Sequence, residues 1–461
     1  MEVGHTAPPG TRRPKERVAQ SPPCFAQAFD GRGVAMHLSK PREKSGDAAD
    51  GGRVLTAKER SQILGITIGR TLRIASLTMV MPSGQEMLFK IFKGDYNSMS
   101  RFGSTMMSVN TILSFFIQPY SGAFMDHYGR WPMLVLPPLL VGIARIWMGL
   151  KPSKTTYTLY RICAGLVAIP WFPAYRATFS DLFDRGSDQY VQTMNNIENV
   201  SSVLRLVSLY IVGNYLSAEQ GYIGSGIVSI LSSLAFYFFV EETLEEQNRK
   251  AIEWKKLRNP LSSLTFFTQS RDLKSMAYLF VLQAIPEYDM TLGTYRRQKF
   301  GWGMKEQSNQ QMMMIIFSLS SPWMILRVLN YFGTKGTFIL SHRISALQSI
   351  YNIVNDNPNF MWVTVFLSAF QFPETSFQRE LAACVKDCGG KRKIGEGVQE
   401  AAMANINLPL AVALPRLYSE LHIYFYEKYN IMYAPLVFTG LMHVLVSEVV
   451  ANRLWPTRDK D

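Results

Sequence analysis

A chain of 461 residues, 47% hydrophobic and 12% aromatic, is long enough for two or three water-soluble domains or for one polytopic membrane protein. Its mean hydropathy of +0.01 is low for the second, yet the apolar residues gather in runs of roughly 20, the length that crosses a bilayer core. The net charge of +13 comes without finger spacing or an aromatic-interleaved basic patch, which sets nucleic acid aside and fits lysine and arginine held on one side of a membrane.

Residues 1–60 mix Pro, Gly, Arg, Lys, Asp and Glu without apolar periodicity and read as a disordered cytoplasmic tail with no signal-peptide core. Residues 61–240 read as a first bundle of six spans. Thr71–Ile91 contains Pro82, Gly84 and Glu86, with Arg70 and Arg73 as its cytoplasmic start. Phe102–Phe124, Pro132–Leu150 and Thr156–Thr178 follow, the last carrying Arg161 and Gly165. Val191–Leu216 is polar for a span, through Asn195, Asn196, Glu198, Asn199 and Arg205, whereas Gly221–Val240 is cleanly apolar.

Residues 241–274 are too polar to cross and read as a cytoplasmic linker between two halves. Residues 275–452 then supply a second bundle: Ser275–Leu292, Gln310–Leu329, Gly336–Ile353 (with His342 and Arg343 inside it), Phe360–Leu381, Val398–Tyr424 and Ile431–Val450. The tail 453–461 is basic. An even number of spans puts both termini and the linker in the cytosol. Arg296, Arg297, Lys299 and Lys305, in a loop after the seventh span, disobey that rule: either the count is off by one, or the loop binds something anionic.

The segment Gly122–Leu134, GAFMDHYGRWPML, is a charged turn between two apolar runs. Glycine permits φ > 0 and proline suits a first helical turn, so the chain reverses here. The spacing of Gly122, Asp126, Gly129, Arg130 and Leu134 resembles the loop between helices 2 and 3 of the major facilitator superfamily. Arg161 and Gly165 followed by AYRATFSDLFDRG, Glu242-Thr243-Leu244, Asn259-Pro260-Leu261, Phe300-Gly301-Trp302 and Gly397-Val398-Gln399 resemble its tetracycline-efflux-like, hippocampus-abundant-transcript-like branch. The resemblance runs from about Arg70 to Val450. Trp131, Glu400 and a fifth span without the Gly-Pro run of antiporters depart from the pattern. In the second half LRVLNYFGTKG keeps only Gly333 and Lys335 of the repeated motif. These departures argue against drug–proton antiport.

The resemblance implies an all-α membrane protein with the major facilitator fold, about twelve transmembrane helices in two six-helix bundles. It implies secondary active transport of a small organic solute by alternating access, with protons as a candidate coupling ion, in a monomer embedded in the lipid bilayer. The alternative is a receptor or scaffold that keeps the fold without transporting. Gly122, Asp126, Gly129 and Arg130 are the expected gate, with Asp126 facing the helix that starts near Gly397 when the halves close. Ionisable residues inside spans make Glu86, Arg161, Glu287 and Asp289, together with Gln399 from the family match, the candidate substrate or proton site, with Glu86 the expected partner of Arg161 and Glu287 the next. No nucleotide loop, nucleophile–base pair, zinc pattern or disulfide framework appears around Cys24, Cys163, Cys384 and Cys388. No enzyme activity, catalytic residue, cofactor or metal is therefore expected.

Overall fold

The computed structural model describes residues 56–167, 171–183, 188–244, 246–249, 265–288, 291–319, 321–358, 362–388 and 396–456, and every regular element among them is helical. Helix α1 (Ala57–Ile91) opens on a capping box in which Thr56 and Glu59 satisfy each other's backbone N–H. Helix α2 (Tyr96–Tyr128) starts on Asp95, whose carboxylate accepts the Asn97 and Ser98 N–H groups; the contacts of Ser98 hold that carboxyl below its usual range. Then follow α3 (Trp131–Leu150), α4 (Lys154–Val167), α5 (Trp171–Leu182), α6 (Asp188–Tyr215) and α7 (Ala218–Phe239).

The second half contains α8 (Arg271–Ala284), α9 (Leu292–Phe300), α10 (Met304–Ser318), α11 (Ser321–Val354), α12 (Trp362–Ser368), α13 (Pro373–Cys388), α14 (Glu396–Tyr429), α15 (Ala434–Leu445) and α16 (Ala451–Leu454). Joined end to end, α4 with α5, α8 with α9, α12 with α13, and α15 with α16 through a π-turn each make one crossing. Helix α11 is two helices meeting at Gly333, so α10 and its first part make the eighth crossing and the remainder the ninth. Twelve antiparallel crossings result, six in each half. Thr56, Gly129, Glu242, Ser270 and Gly333 lie at one end of the molecule, the near end. The connections at 92–95, 151–153, 216–217, 301–303, 355–358 and 430–433 lie at the far end.

Within the first half α7 packs against both α1 and α3, and α6 against α1. In the second, α11 packs against α13 and α15, and α8 against α13 and α14. The halves meet along two seams, α2 with α14 and α6 with α10. Large apolar side chains point outward along many helices: Phe238 is 71% exposed, Leu441 62% and Ile143 52%. Such a surface requires an apolar solvent. Among the described residues, α1, α3, α7 and the Ala434–Leu454 crossing are long and apolar enough to span a bilayer by composition alone. The others carry more polar residues, among them the exposed Asn195, Asn196 and Asn199 of α6.

Several expected boundaries move. Helix α1 begins at Ala57, not Thr71, so Arg70 and Arg73 lie in mid-helix, 6% and 2% exposed, rather than at its cytoplasmic start. Residues 57–60 of the expected tail are helical, and residues 1–55 lie outside the described residues. The basic cluster is not a loop: Arg296, Arg297 and Lys299 sit on α9, the second half of the seventh crossing, and Lys305 sits in the first turn of α10. Pro286 and the 3-10 turn Pro286–Tyr288 interrupt that crossing and hid its continuation. His342 and Arg343 do lie inside the ninth crossing. The His342 Nδ1 is 2.9 Å from the His443 Nδ1, and Arg343 pairs with Glu448 at 2.6 Å.

Candidate functional site

At the near end, α2 stops at Tyr128 because Gly129 adopts φ +100°, a conformation costly for any residue with a Cβ. Arg130 then leads into α3, with Pro132 in its first turn. The exposed N-terminus of α3 is capped from outside the turn. The Arg130 N–H donates to Glu242 Oε1 at 2.9 Å and the Trp131 N–H to Glu242 Oε2 at 3.1 Å. A carboxylate there also meets the positive end of the helix dipole. A Cβ on Gly129 would overlap that carboxylate. The Arg130 guanidinium donates to Asp126 at 2.9 Å and lies 3.6 Å from Asp181, which accepts from the Thr243 hydroxyl at 2.9 Å. Gly122 lies within α2, one helical turn before Asp126.

Midway between the halves lies a cavity of about 270 Å³, at the small end for organic ligands. It is walled by α1 and α6 from the first half and by α9, α10, α11 and α12 from the second. Its polar lining is uneven in charge. Arg205 and Arg296 face it, as do Gln85, Gln307, Gln310, Gln311 and Gln348, and among the described residues no carboxylate belongs to the lining. Arg296 is 6% exposed; it donates to Gln310 Oε1 at 2.6 Å, and its buried Nε has no hydrogen-bond partner among the described residues. Arg205 sits 3.9 Å from a Glu198 oxygen, but the other oxygen of that carboxylate is held by Arg70 at 2.6 Å. One acid is thus shared by two bases. Met81, Leu209, Met314 and Ile315 supply the apolar wall. A guanidinium stays charged at any usable pH, so the cavity is an electropositive, amide-rich chamber in a low-dielectric surround. That arrangement attracts a small anion with further hydrogen-bonding capacity.

The sequence-predicted residues fall elsewhere. Glu86 does not pair with Arg161. Near the far end of α1 it accepts from Arg297 at 2.6 and 3.2 Å, and that guanidinium also lies 3.7 Å from the Phe89 ring centroid. The pairing crosses between the halves because α9 continues the seventh crossing to the far end. Arg161 acts instead on Tyr157, Tyr160 and Tyr222, within its own half. Glu287 sits in the turn that breaks the seventh crossing, reachable by solvent yet surrounded by protein and near enough to Glu374 for the two carboxylates to repel. None of Glu86, Arg161 and Glu287 lines the cavity. Asp289 lies outside the described residues, as does the side chain of Gln399, whose backbone belongs to the first turn of α14. Arg205 stood out in the sequence as a charge in a span but carried no assignment. Arg296 was hidden by the misread loop, although its charge had raised the prospect of an anionic ligand.

The sequence profile described as Major Facilitator Superfamily matches residues 66–372. Hippocampus abundant transcript-like protein 1 of Bos taurus is 22% identical over 381 residues, covering 77% of this chain and 71% of that protein. Among solved structures, the human organic anion transporter MFSD10 (TETRAN) matches with TM-score 0.58 and 16% identity, over 85% of this chain and 99% of its own. The nucleoside transporter NupG matches with TM-score 0.66 and 13% identity, over 86% and 100%.

Proposed function

Because the chain belongs to the major facilitator superfamily, we propose that it moves a small organic anion across a membrane by alternating access, through the cavity walled by Arg205 and Arg296. The observation that carries this reading is the charge of that chamber: among the described residues it is lined by two arginines, five glutamines and no carboxylate. A cationic solute would meet repulsion, and a neutral one could accept hydrogen bonds but would leave the positive charge of the chamber unbalanced. The structural likeness to an organic anion transporter supports the same class. Arg296 on α9 and Arg205 on α6 come from different halves, so one anion touching both would couple the two as they rock.

The far end is the outer surface in this reading, and both termini and the linker are cytosolic. Asp126 belongs to the gate. With the far end closed its carboxylate is held by Arg130. As the near end closes it turns toward the first turn of α14, whose free N–H groups favour an anion.

The test is uptake by the purified full chain in liposomes, with matched panels of carboxylates, sulfonates, organic cations and neutral sugars. Anions should accumulate, and Arg296→Gln should raise KM at least tenfold, the loss of one charge-assisted contact. Uptake confined to cations or neutral solutes would overturn the proposal.

A further inference from the structure

The chamber with Arg205 and Arg296 is small: about 270 Å³ holds a charged head group and little more. A larger space lies along the same two helices. It is a groove of about 650 Å³ lined by Leu206, Val207, Met312, Met313, Ile316 and Trp362, with Tyr210 and Asn309 as its polar members. Val207, Tyr210 and Ile316 are exposed, so the groove opens on the surface that faces hydrocarbon.

Chamber and groove divide α6 and α10 residue by residue. On α6, Arg205 and Leu209 face the chamber, whereas Leu206, Val207 and Tyr210 face the groove. On α10, Gln310, Gln311, Met314 and Ile315 face the chamber, whereas Asn309, Met312, Met313 and Ile316 face the groove. The partition is therefore the layer of side chains where α6 meets α10, which is also one of the two seams between the halves. Toward the far end that seam is tight, for Gly213 of α6 lies against the buried Ser308 of α10 with no room for a Cβ. At the level of the chamber α10 carries Met312, Met313 and Met314, unbranched side chains that repack easily around a guest.

We propose that the organic anion is amphipathic: its charged head occupies the chamber with Arg205 and Arg296, and a single alkyl chain passes between α6 and α10 into the groove. This rests on the anion reading above and narrows it to single-chain carboxylates, sulfonates or sulfates. The division of charge fits, with two guanidiniums on one side of the seam and, among the described residues, no charged side chain lining the other. Such a chain exchanges one hydrocarbon surround for another as the halves rock, so the head alone has to be carried through protein.

The experiment uses the full chain in liposomes and alkyl sulfonates, whose charge pH does not remove. The concentration of decanesulfonate that halves uptake of labelled ethanesulfonate should be about tenfold or more below that of butanesulfonate. Val207→Trp and Met313→Trp each fill the groove, and either should bring that ratio below about threefold; partition into the bilayer is the same for every variant, so the change reports the groove. In nanodiscs, decanesulfonate with a diazirine at its chain end should label residues 206–210 and 309–316 on irradiation, and Arg296→Gln or Arg205→Gln should remove the labelling. Ethanesulfonate uptake with a ratio near one, or a ratio that both tryptophan variants leave unchanged, overturns the chain site and leaves the anion reading standing. No uptake of any sulfonate together with no labelling overturns both. Labelling that survives both arginine variants overturns the proposal too, because the groove then takes bilayer chains independently of the chamber.

Discussion

At Gly129 the backbone turns through φ +100°, and the space a side chain would fill holds the Glu242 carboxylate. Two costs fall on any substitution: backbone strain of about 1–3 kcal/mol, and displacement of a group that caps α3 through two N–H bonds worth about 1 kcal/mol each. Gly129→Ala should therefore lower the thermal midpoint by more than Glu242→Gln, which keeps one acceptor oxygen against α3 while losing the charge and the second acceptor. Differential scanning fluorimetry of the two variants checks the order; equal midpoints would show that Glu242 is not held as the structure has it. Gly129 and Arg130 were legible because turn chemistry is local. Glu242, 112 residues further on from Arg130, was legible only as a family match, since a long-range cap leaves no spacing signal. Arg205 and Arg296 were visible as charges, but their convergence depends on how the two halves meet, which periodicity does not encode.

The same turn recurs between the eighth and ninth crossings, where Gly333 has φ +68° and ψ 178° against +100° and 176° at Gly129. The second-half sequence has lost the acid and most of the motif, yet the backbone conformation is retained. What survives is the element that only glycine supports at low cost; what eroded is the side-chain chemistry around it. A Cβ on Gly333 meets nothing within 4 Å, so Gly333→Ala bears strain alone, about 1–3 kcal/mol. Its midpoint should fall by less than that of Gly129→Ala. A larger fall at Gly333 would mean that the second turn carries contacts the first lacks. Element by element, the apolar crossings were readable from length and composition, and the broken ones were not. The seventh failed because Pro286 and the polar run Arg296–Lys299 ended the apolar signal before the helix ended.

On the scale of the whole molecule, the ties between the halves collect at the far end. Arg297 binds Glu86 at 2.6 Å, Arg101 reaches Glu420 at 3.2 Å, Asn97 donates to Glu427 at 2.9 Å, and the Ser100 and Ser419 hydroxyls lie 2.8 Å apart. At the near end Asp126, Arg130, Asp181 and Glu242 bind one another within the first half. Among the described residues, this is the pattern that the proposed alternating-access reading expects of a carrier closed at the far end. Closure then rests on few contacts. The exposed Arg101–Glu420 pair contributes under about 1 kcal/mol, whereas Glu86–Arg297, with side chains only 19% and 13% exposed, falls between that and the 3–5 kcal/mol of a fully buried pair. Removing about 2 kcal/mol from one state of a two-state carrier changes its population ratio about thirtyfold. A cysteine at Gln311, in the cavity wall, reports the change in a background without Cys24, Cys163, Cys384 and Cys388. An impermeant thiol reagent applied at the far end should label it slowly in the otherwise intact protein and at least tenfold faster with Glu86→Gln added. Arg101→Ala should change the rate less than threefold. Unchanged labelling with Glu86→Gln would mean that the ion pair does not hold the far end shut, and that closure lies in the apolar packing of α2 against α14.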